Sequence, residues 1–272
     1  MIKFTTLLFT LLTLNSWGQS PDSIRVNRLL DQSEKFYANN EIDISIAYLD
    51  SVIEIDGSAE HFFFRGYLNY AAGYYSNGIF DFNKAISLDT TQLNYFFNRG
   101  DCYYAMNSYL RSVTDYKTCI KMDPLFKKSY NNLGNAFNKI KESEKALASY
   151  SKAIELDPNY TLAIFNIGTV FHDLKKYPEA IEQFKKAIEL RPDYTKAYIE
   201  LGGVYSIKKE FIKAIPYFNR ALEIDNSNVH ALTNRGYAFF ELNKLEKACK
   251  DMKTAAELGS EYAKQMLEQH CK

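Results

Sequence analysis

The chain has 272 residues, with 33 Lys+Arg against 33 Asp+Glu and 46% hydrophobic residues. The even charge gives no pull toward nucleic acid or an anionic membrane, and the apolar fraction excludes disorder over most of the length. With 12 Gly, 6 Pro and 4 Cys, collagen-like and disulfide-scaffold chains are excluded as well, and the unusual figure is 21 Tyr and 19 Phe against one Trp.

The N-terminus reads MIKFTTLLFTLLTLNSWGQS. Lys3 gives a short positive start, and residues 4–14 form an apolar run interrupted only by threonine. That run is too short for a span of about 20 residues and suits a signal-peptide core. Ser16-Trp17-Gly18 is a small-x-small cleavage signature, which predicts a signal peptide at 1–18 cut before Gln19. No Cys lies near the cut, so a lipid anchor is not expected. No second apolar run of membrane-span length follows, so the mature chain is expected to have no stable membrane insertion. The expected location is the bacterial periplasm or outer cell surface, where cysteines meet an oxidising environment. Residues 19–25 read as a flexible lead.

Beyond the lead, one period organises the chain. Gly66, Gly100, Gly134, Gly168, Gly202 and Gly236 are each 34 residues apart. Small residues keep the same step at Ala146, Ala180, Ala214 and Ala248, and aromatics at Tyr103, Phe137, Phe171, Tyr205 and Phe239. Within one period, Ile164, Ile167, Gly168 and Phe171 follow helical spacing, and so do Ala180, Ile181, Phe184, Ala187 and Ile188. A mid-helix Gly costs about 1 kcal/mol relative to Ala, so six in register need an offsetting cause. Close approach of two paired helices, with Gly against a facing Ala, is the expected one. Pro178 suits a first helical turn. Pro216 sits deeper in its helix and is expected to forfeit the bond to the Ile212 carbonyl, with a bend, unless it falls early enough to be tolerated.

These residues resemble the tetratricopeptide repeat, a 34-residue helix–turn–helix. The clearest unit is 127–160, with Tyr130, Leu133, Gly134, Phe137, Ala146, Tyr150, Ala153 and Pro158 in family positions. Seven units are read at 26–58, 59–92, 93–126, 127–160, 161–194, 195–228 and 229–262. The first is one residue short and has Ser33 in the glycine column. The resemblance implies an all-α fold, a right-handed superhelical solenoid of stacked helix pairs. Residues 263–272 are expected to form a polar capping helix.

The units differ in one charged pair. Arg65, Arg99 and Arg235 precede their comb glycine, and Asp81, Asp115 and Asp251 follow sixteen residues after each Arg. Other full units carry an aliphatic residue and no Asp at those places. Arg and Asp occur together, which predicts three ion pairs joining the helices of a unit.

Motifs for chemistry are missing. His61, His172, His230 and His270 stand in no metal-binding or zinc-protease spacing, and no nucleophile elbow, P-loop or dinucleotide fingerprint occurs. The expectation is no enzyme, no cofactor and no metal. Cys102 and Cys119 would lie about 13 Å apart along a hairpin axis, beyond the reach of a disulfide at about 7 Å. Cys249 and Cys271 are symmetric about Ser260. Two arrangements stay open: four free thiols, the first expectation, or a Cys249–Cys271 bridge that pins the terminal helix.

The family resemblance further implies a concave groove lined by first helices, which holds a peptide or protein segment. Carried onto this sequence, the groove residues are Phe63, Tyr67, Tyr70, Phe97, Asp101 and Tyr104 in an aromatic half. Asn131, Asn135, Asn166 and Lys196 belong to an amide-rich half. Asn135, Asn166 and Lys196 match three positions of the family's carboxylate clamp, but Asn131 and Glu200 stand where the clamp needs basic residues, so a clamp is not expected. The reading is a non-enzymatic protein-interaction scaffold with a partner of unknown identity. Its alternatives are a self-associating, homo-oligomeric structural scaffold and a carbohydrate-binding module using the groove tyrosines.

Overall fold

A computed structural model of the chain describes residues 20–271; the signal peptide expected at 1–18 lies outside them. Fifteen α-helices and no strands occur among the described residues. In chain order they are α1 (Pro21–Ala38), α2 (Ile42–Ile55), α3 (Ala59–Ala71), α4 (Tyr75–Leu88), α5 (Leu93–Ala105), α6 (Tyr109–Met122), α7 (Lys127–Lys139) and α8 (Ser143–Leu156). They continue with α9 (Thr161–Asp173), α10 (Tyr177–Leu190), α11 (Thr195–Ile207), α12 (Phe211–Ile224), α13 (Val229–Glu241), α14 (Leu245–Glu257) and α15 (Glu261–His270).

Residues 21–25 are helical, which corrects the flexible lead. Ser20 is the N-cap, its Oγ accepting from the Ser23 N–H at 3.1 Å. Pro21 stands in the first helical turn, where its missing N–H costs nothing, and Asp22 complements the helix dipole.

The helices form two compact units that divide between Ser129 and Tyr130. In each unit, consecutive helices pack as hairpins and each hairpin packs on the next. First helices of neighbouring hairpins also touch, α3 with α5 in the first unit, and α9 with α11 and α11 with α13 in the second. Each unit therefore presents a face built from first helices.

The turn inside each hairpin repeats one solution. The first helix ends on a left-handed residue, Gly73 at φ 83° in α3–α4 and Asn or Lys elsewhere. The N–H after it returns to a carbonyl five residues back, as Tyr74 to Asn69 at 2.8 Å and Lys176 to Phe171 at 2.8 Å. This closes carbonyls that the helix end would leave open.

All but one of the comb glycines make room for a ring, and Gly236 makes room for Met252. A Cβ on Gly134 would stand 2.5 Å from Tyr150 Cε1, on Gly168 2.7 Å from Phe184 Cε1, and on Gly202 2.6 Å from Phe218 Cε1. The facing partner is thus the aromatic side chain sixteen residues on, rather than the small residue of the second helix. The small column serves a second approach: a Cβ on Gly78 would stand 3.2 Å from the Gly66 carbonyl oxygen. The first hairpin, with Ser33 in the glycine column, closes differently. Ser33 Oγ donates to the Ser45 carbonyl at 2.9 Å and Ser45 Oγ to the Ser33 carbonyl at 2.7 Å.

Three guanidinium groups brace the stacks. Arg65 Nη2 lies 2.6 Å from Asp81 Oδ1, Arg99 Nη2 2.7 Å from Asp115 Oδ1, and Arg235 Nε 2.7 Å from Asp251 Oδ2. Each Arg also reaches back one hairpin. Nη1 donates to Asp50 Oδ1 at 2.8 Å from Arg65, to Asn83 Oδ1 at 2.7 Å from Arg99 and to Asn219 Oδ1 at 2.8 Å from Arg235. A single side chain therefore ties the helices of its own hairpin and the second helix of the preceding one.

Helix α12 runs through Pro216 unbroken. At the far end, Ser260 caps α15 by accepting from the Ala263 N–H at 3.2 Å. Ala263 is fully buried, and Met266 and Leu267 pack on the cluster that holds Met252 and Ala255. Cys249 and Cys271 are joined by a disulfide with their Cα atoms 5.7 Å apart, while Cys102 and Cys119 are free and buried. This corrects the expectation of four free thiols. Matching axial level brought the two residues together, and both also face one another across α14 and α15.

Candidate functional site

The first-helix face of the first unit carries tyrosines at helical spacing. Tyr67 and Tyr70 are half-buried. Tyr67 shares a hydrogen bond with Tyr37 of α1. Tyr70 packs its ring against Tyr75 with centroids 5.9 Å apart, and Tyr104 meets Tyr109 edge-on at 5.3 Å. Burial pushes the Tyr70 phenol up to about 12, with the Asp101 carboxylate nearby adding to the rise. Asp101 itself accepts from Tyr116 Oη at 2.6 Å.

One of the expected aromatic groove residues, Phe63, lies in the core. Phe63 is 9% exposed and packs among Phe64, Phe82 and Tyr95, the last at 5.1 Å between centroids. Phe97 is half-buried against Tyr116 at 5.8 Å and Phe126 at 5.2 Å. The Phe63 ring gains more by burial than by exposure.

In the second unit the amides meet. Asn166 of α9 donates its Nδ2 to Asn131 Oδ1 and to Asn135 Oδ1, both at 3.0 Å. Asn135 Oδ1 also accepts from Tyr150 Oη at 2.7 Å. Asn131 is buried and donates to Asn132 Oδ1 at 3.1 Å. The Asn135 and Asn166 side chains stay partly exposed. Asn135 Oδ1 thus accepts twice, from Asn166 and from Tyr150, and Asn166 Nδ2 donates twice. Lys196 is exposed on α11. Burial raises the Glu200 carboxyl, and His172 partly offsets this.

Sequence reasoning missed Tyr116 and Tyr150. Each orients the acceptor fifteen residues earlier, and the signal was present: these are the tyrosines of a column that is Phe or Met in the other full units. It also missed Asp50, Asn83 and Asn219 as second acceptors of the arginines. No group of three or more His, Cys, Asp or Glu among the described residues is placed to hold a metal. No described helix is long and apolar enough to cross a membrane.

Tetratricopeptide repeat sequence models match residues 93–124, 128–160, 195–228 and 229–260, and a TPR repeat model matches 168–208. A tetratricopeptide repeat protein from Parabacteroides merdae is 15% identical, with TM-score 0.74 over 91% of this chain and 99% of its own. The pilF protein of Pseudomonas aeruginosa is 17% identical, with TM-score 0.66 over 79% of this chain and 98% of its own. YrrB, described as a TPR protein with an unusual peptide-binding site, is 20% identical, with TM-score 0.52 over 69% of this chain and 97% of its own. No curated protein matches the chain by sequence. The fold is one generally used as a non-enzymatic scaffold for protein–protein interaction. With its glycine comb, its stacked hairpins and these matches, the chain belongs to the tetratricopeptide repeat family.

Proposed function

We propose that the chain is an exported docking scaffold of the bacterial envelope that holds an extended segment of a partner protein on its first-helix faces. The observation that carries this is the amide set of the second unit. Asn166 and Asn135 are fixed from behind at 3.0 Å, and Tyr150 fixes Asn135 at 2.7 Å. A side-chain amide so held offers outward a donor or an acceptor in a fixed direction, which is what an extended backbone requires. Because the groups are already ordered, docking loses little side-chain entropy there.

Two features support export. The N-terminal sequence has the pattern of a signal peptide, and the Cys249–Cys271 disulfide suits an oxidising compartment.

Binding to an array of unrelated extended peptides tests docking. Peptides that bind are expected to lose at least about tenfold in affinity in the Asn135→Ala, Asn166→Ala double variant, as each lost hydrogen bond weakens binding by roughly 1 kcal/mol. Unchanged affinity would sink the amide face as the docking surface. Fractionation of the native cell, with mass determination of the mature N-terminus, tests export; a chain retained in the cytoplasm with Met1 intact would refute it.

A further inference from the structure

One column of first-helix residues in the second unit reads Asn132, Asn166, Glu200 and Asn234. Asn166 donates to Asn131 and Asn135 of the first helix before it, both at 3.0 Å. The residues in those two places before Glu200 are Phe165 and Thr169. Phe165 has no polar side chain, and the Thr169 hydroxyl donates to the Phe165 carbonyl at 3.2 Å. Glu200 is therefore partly buried on α11 where the amide pairing of its column is not available.

The charged groups around it are few. Burial raises the Glu200 carboxyl, His172 of α9 opposes this, Asp173 of α9 adds to it, and His230 of α13 opposes it. Among the described residues, no lysine or arginine acts on Glu200. Lys196, one turn earlier on α11, is exposed and is not one of these groups.

The face is also open next to this carboxylate. Gly203 lies three residues on from Glu200, a spacing that puts two helical residues on the same side. A Cβ on Gly203 would meet nothing within 4 Å. Gly202 has a packing cause in the Phe218 ring, whereas Gly203 has none, and a mid-helix Gly costs about 1 kcal/mol relative to Ala. What Gly203 leaves is room for another backbone to come close to α11.

Resting on the docking reading above, we propose that Glu200 selects the partner: the segment held on the second unit's first-helix face carries a lysine or arginine that meets Glu200 while its backbone passes over Gly203. Charge complementarity carries this. A partly buried carboxylate with no cation of its own gains one on docking, and Asp173 adds to the negative field that favours it. A neutral or acidic side chain at that place would cover the carboxylate and leave it unpaired, which is costly. Neighbouring first helices stand about 9 Å apart, and an extended chain covers that in about three residues. The basic residue is therefore expected about three residues from the one that meets Asn166.

The test uses the full chain and three fluorescein-labelled twelve-residue peptides that alternate Ser with Lys, with Gly or with Glu. Fluorescence anisotropy is expected to rank the Lys peptide at least about tenfold tighter than the Gly peptide, with the Glu peptide weakest. Glu200→Gln is expected to remove the preference and bring the Lys and Gly peptides within about threefold of one another. Gly203→Leu enters open space and is expected to weaken both. Should Glu200→Gln unfold, a carbon-detected titration of Glu200 in the unaltered chain decides: saturating Lys peptide is expected to lower its midpoint and the Gly peptide is not.

No preference for the Lys peptide, a preference that survives Glu200→Gln, unchanged binding in Gly203→Leu, or a Glu200 midpoint that the Lys peptide leaves in place overturns the proposal. If the Gly peptide then still binds in an Asn135- and Asn166-dependent way, docking survives and only the selection by Glu200 falls. If no peptide of any charge binds, both fall. A concentration-dependent dimer in light scattering that Glu200→Gln dissociates would assign the face to a second copy and also overturn it.

Discussion

The Arg99 guanidinium closes a two-point contact on the Asp115 carboxylate, Nε to Oδ2 at 2.9 Å and Nη2 to Oδ1 at 2.7 Å. Asp115 is almost fully buried, with 3% of its side chain exposed against 19% for Arg99. Burial pushes the Asp115 carboxyl up, and the Arg99 hydrogen bonds pull it back. Remove Arg99 and only the burial remains. Arg99→Ala is therefore expected to cost about 3–5 kcal/mol, because a buried charge loses its partner. It should also raise the Asp115 pKa further, so the loss grows as pH rises through the carboxyl range. Asn83→Ala, at the exposed third contact, should cost about 1 kcal/mol or less. Urea unfolding of the single variants and of Arg99→Ala with Asp115→Ala measures the coupling; zero coupling refutes the brace.

Adjacent glycines on α11 should respond in opposite directions. A Cβ on Gly202 would meet Phe218 Cε1 at 2.6 Å, while one on Gly203 would meet nothing within 4 Å. Gly203→Ala gains helix propensity without a clash and is expected to stabilise by up to about 1 kcal/mol. Gly202→Ala gains the same propensity but must displace a fully buried ring, at a cost of about 1–3 kcal/mol from overpacking. Urea midpoints of the two variants decide this, and a shift of the same sign in both would contradict the packing described.

How much of this could be read beforehand follows from periodicity. A step of 34 residues in glycine, alanine and aromatic columns carries helix pairing and stacking, because each column is a place where two helices must meet. Direction of a single side chain is less legible. Phe63 and Tyr67 lie one helical turn apart on α3, yet Phe63 turns into the core and Tyr67 stays half-buried on the open face. Helical spacing gives both the same side and cannot tell its inner edge from its centre. The second acceptors of the arginines were hidden by one missing residue. Asn83 and Asn219 precede their Arg by sixteen, but Asp50 precedes Arg65 by fifteen because the first repeat is short. The helical start at Pro21 was legible in Ser20, Pro21 and Asp22, a capping triplet obscured by its place next to an expected lead.

One carboxylate at the N-cap of α12 gives a pH signature. Lys208 and then Lys213 hold the Glu210 carboxyl down to about 2, each ammonium 2.6 Å from one of its oxygens. The folded value lies below the unfolded one of about 4.3. The group therefore stabilises the fold above the unfolded value, and this contribution fades as pH falls through about 2. A carbon-detected carboxyl titration is expected to place Glu210 well below the ordinary glutamate range. Lys208→Ala should return it toward the ordinary range, and an unchanged midpoint would contradict the pairing.

Thiol chemistry separates the four cysteines. Burial pushes Cys102 and Cys119 up to about 12, so at about pH 8 only roughly one in ten thousand would be thiolate. Cys249 and Cys271 are bonded to one another. A thiol-specific chromogenic reagent is therefore expected to find no reactive group in the folded chain. After denaturation without reductant it should find two, and after denaturation with reductant and its removal, four. Four after denaturation alone would mean that the bridge does not form. The bridge closes a loop of sequence separation 22, which raises stability by about 3 kcal/mol in the chain-entropy account. Because α15 is only ten residues long and too short to persist alone, Cys271→Ser should show its effect first at α15. Amide exchange of Met266 and Leu267 is expected to quicken there while that of Ala180 and Phe184 stays unchanged, and equal exchange in bridged and unbridged chains would refute the pinning of α15 by the disulfide.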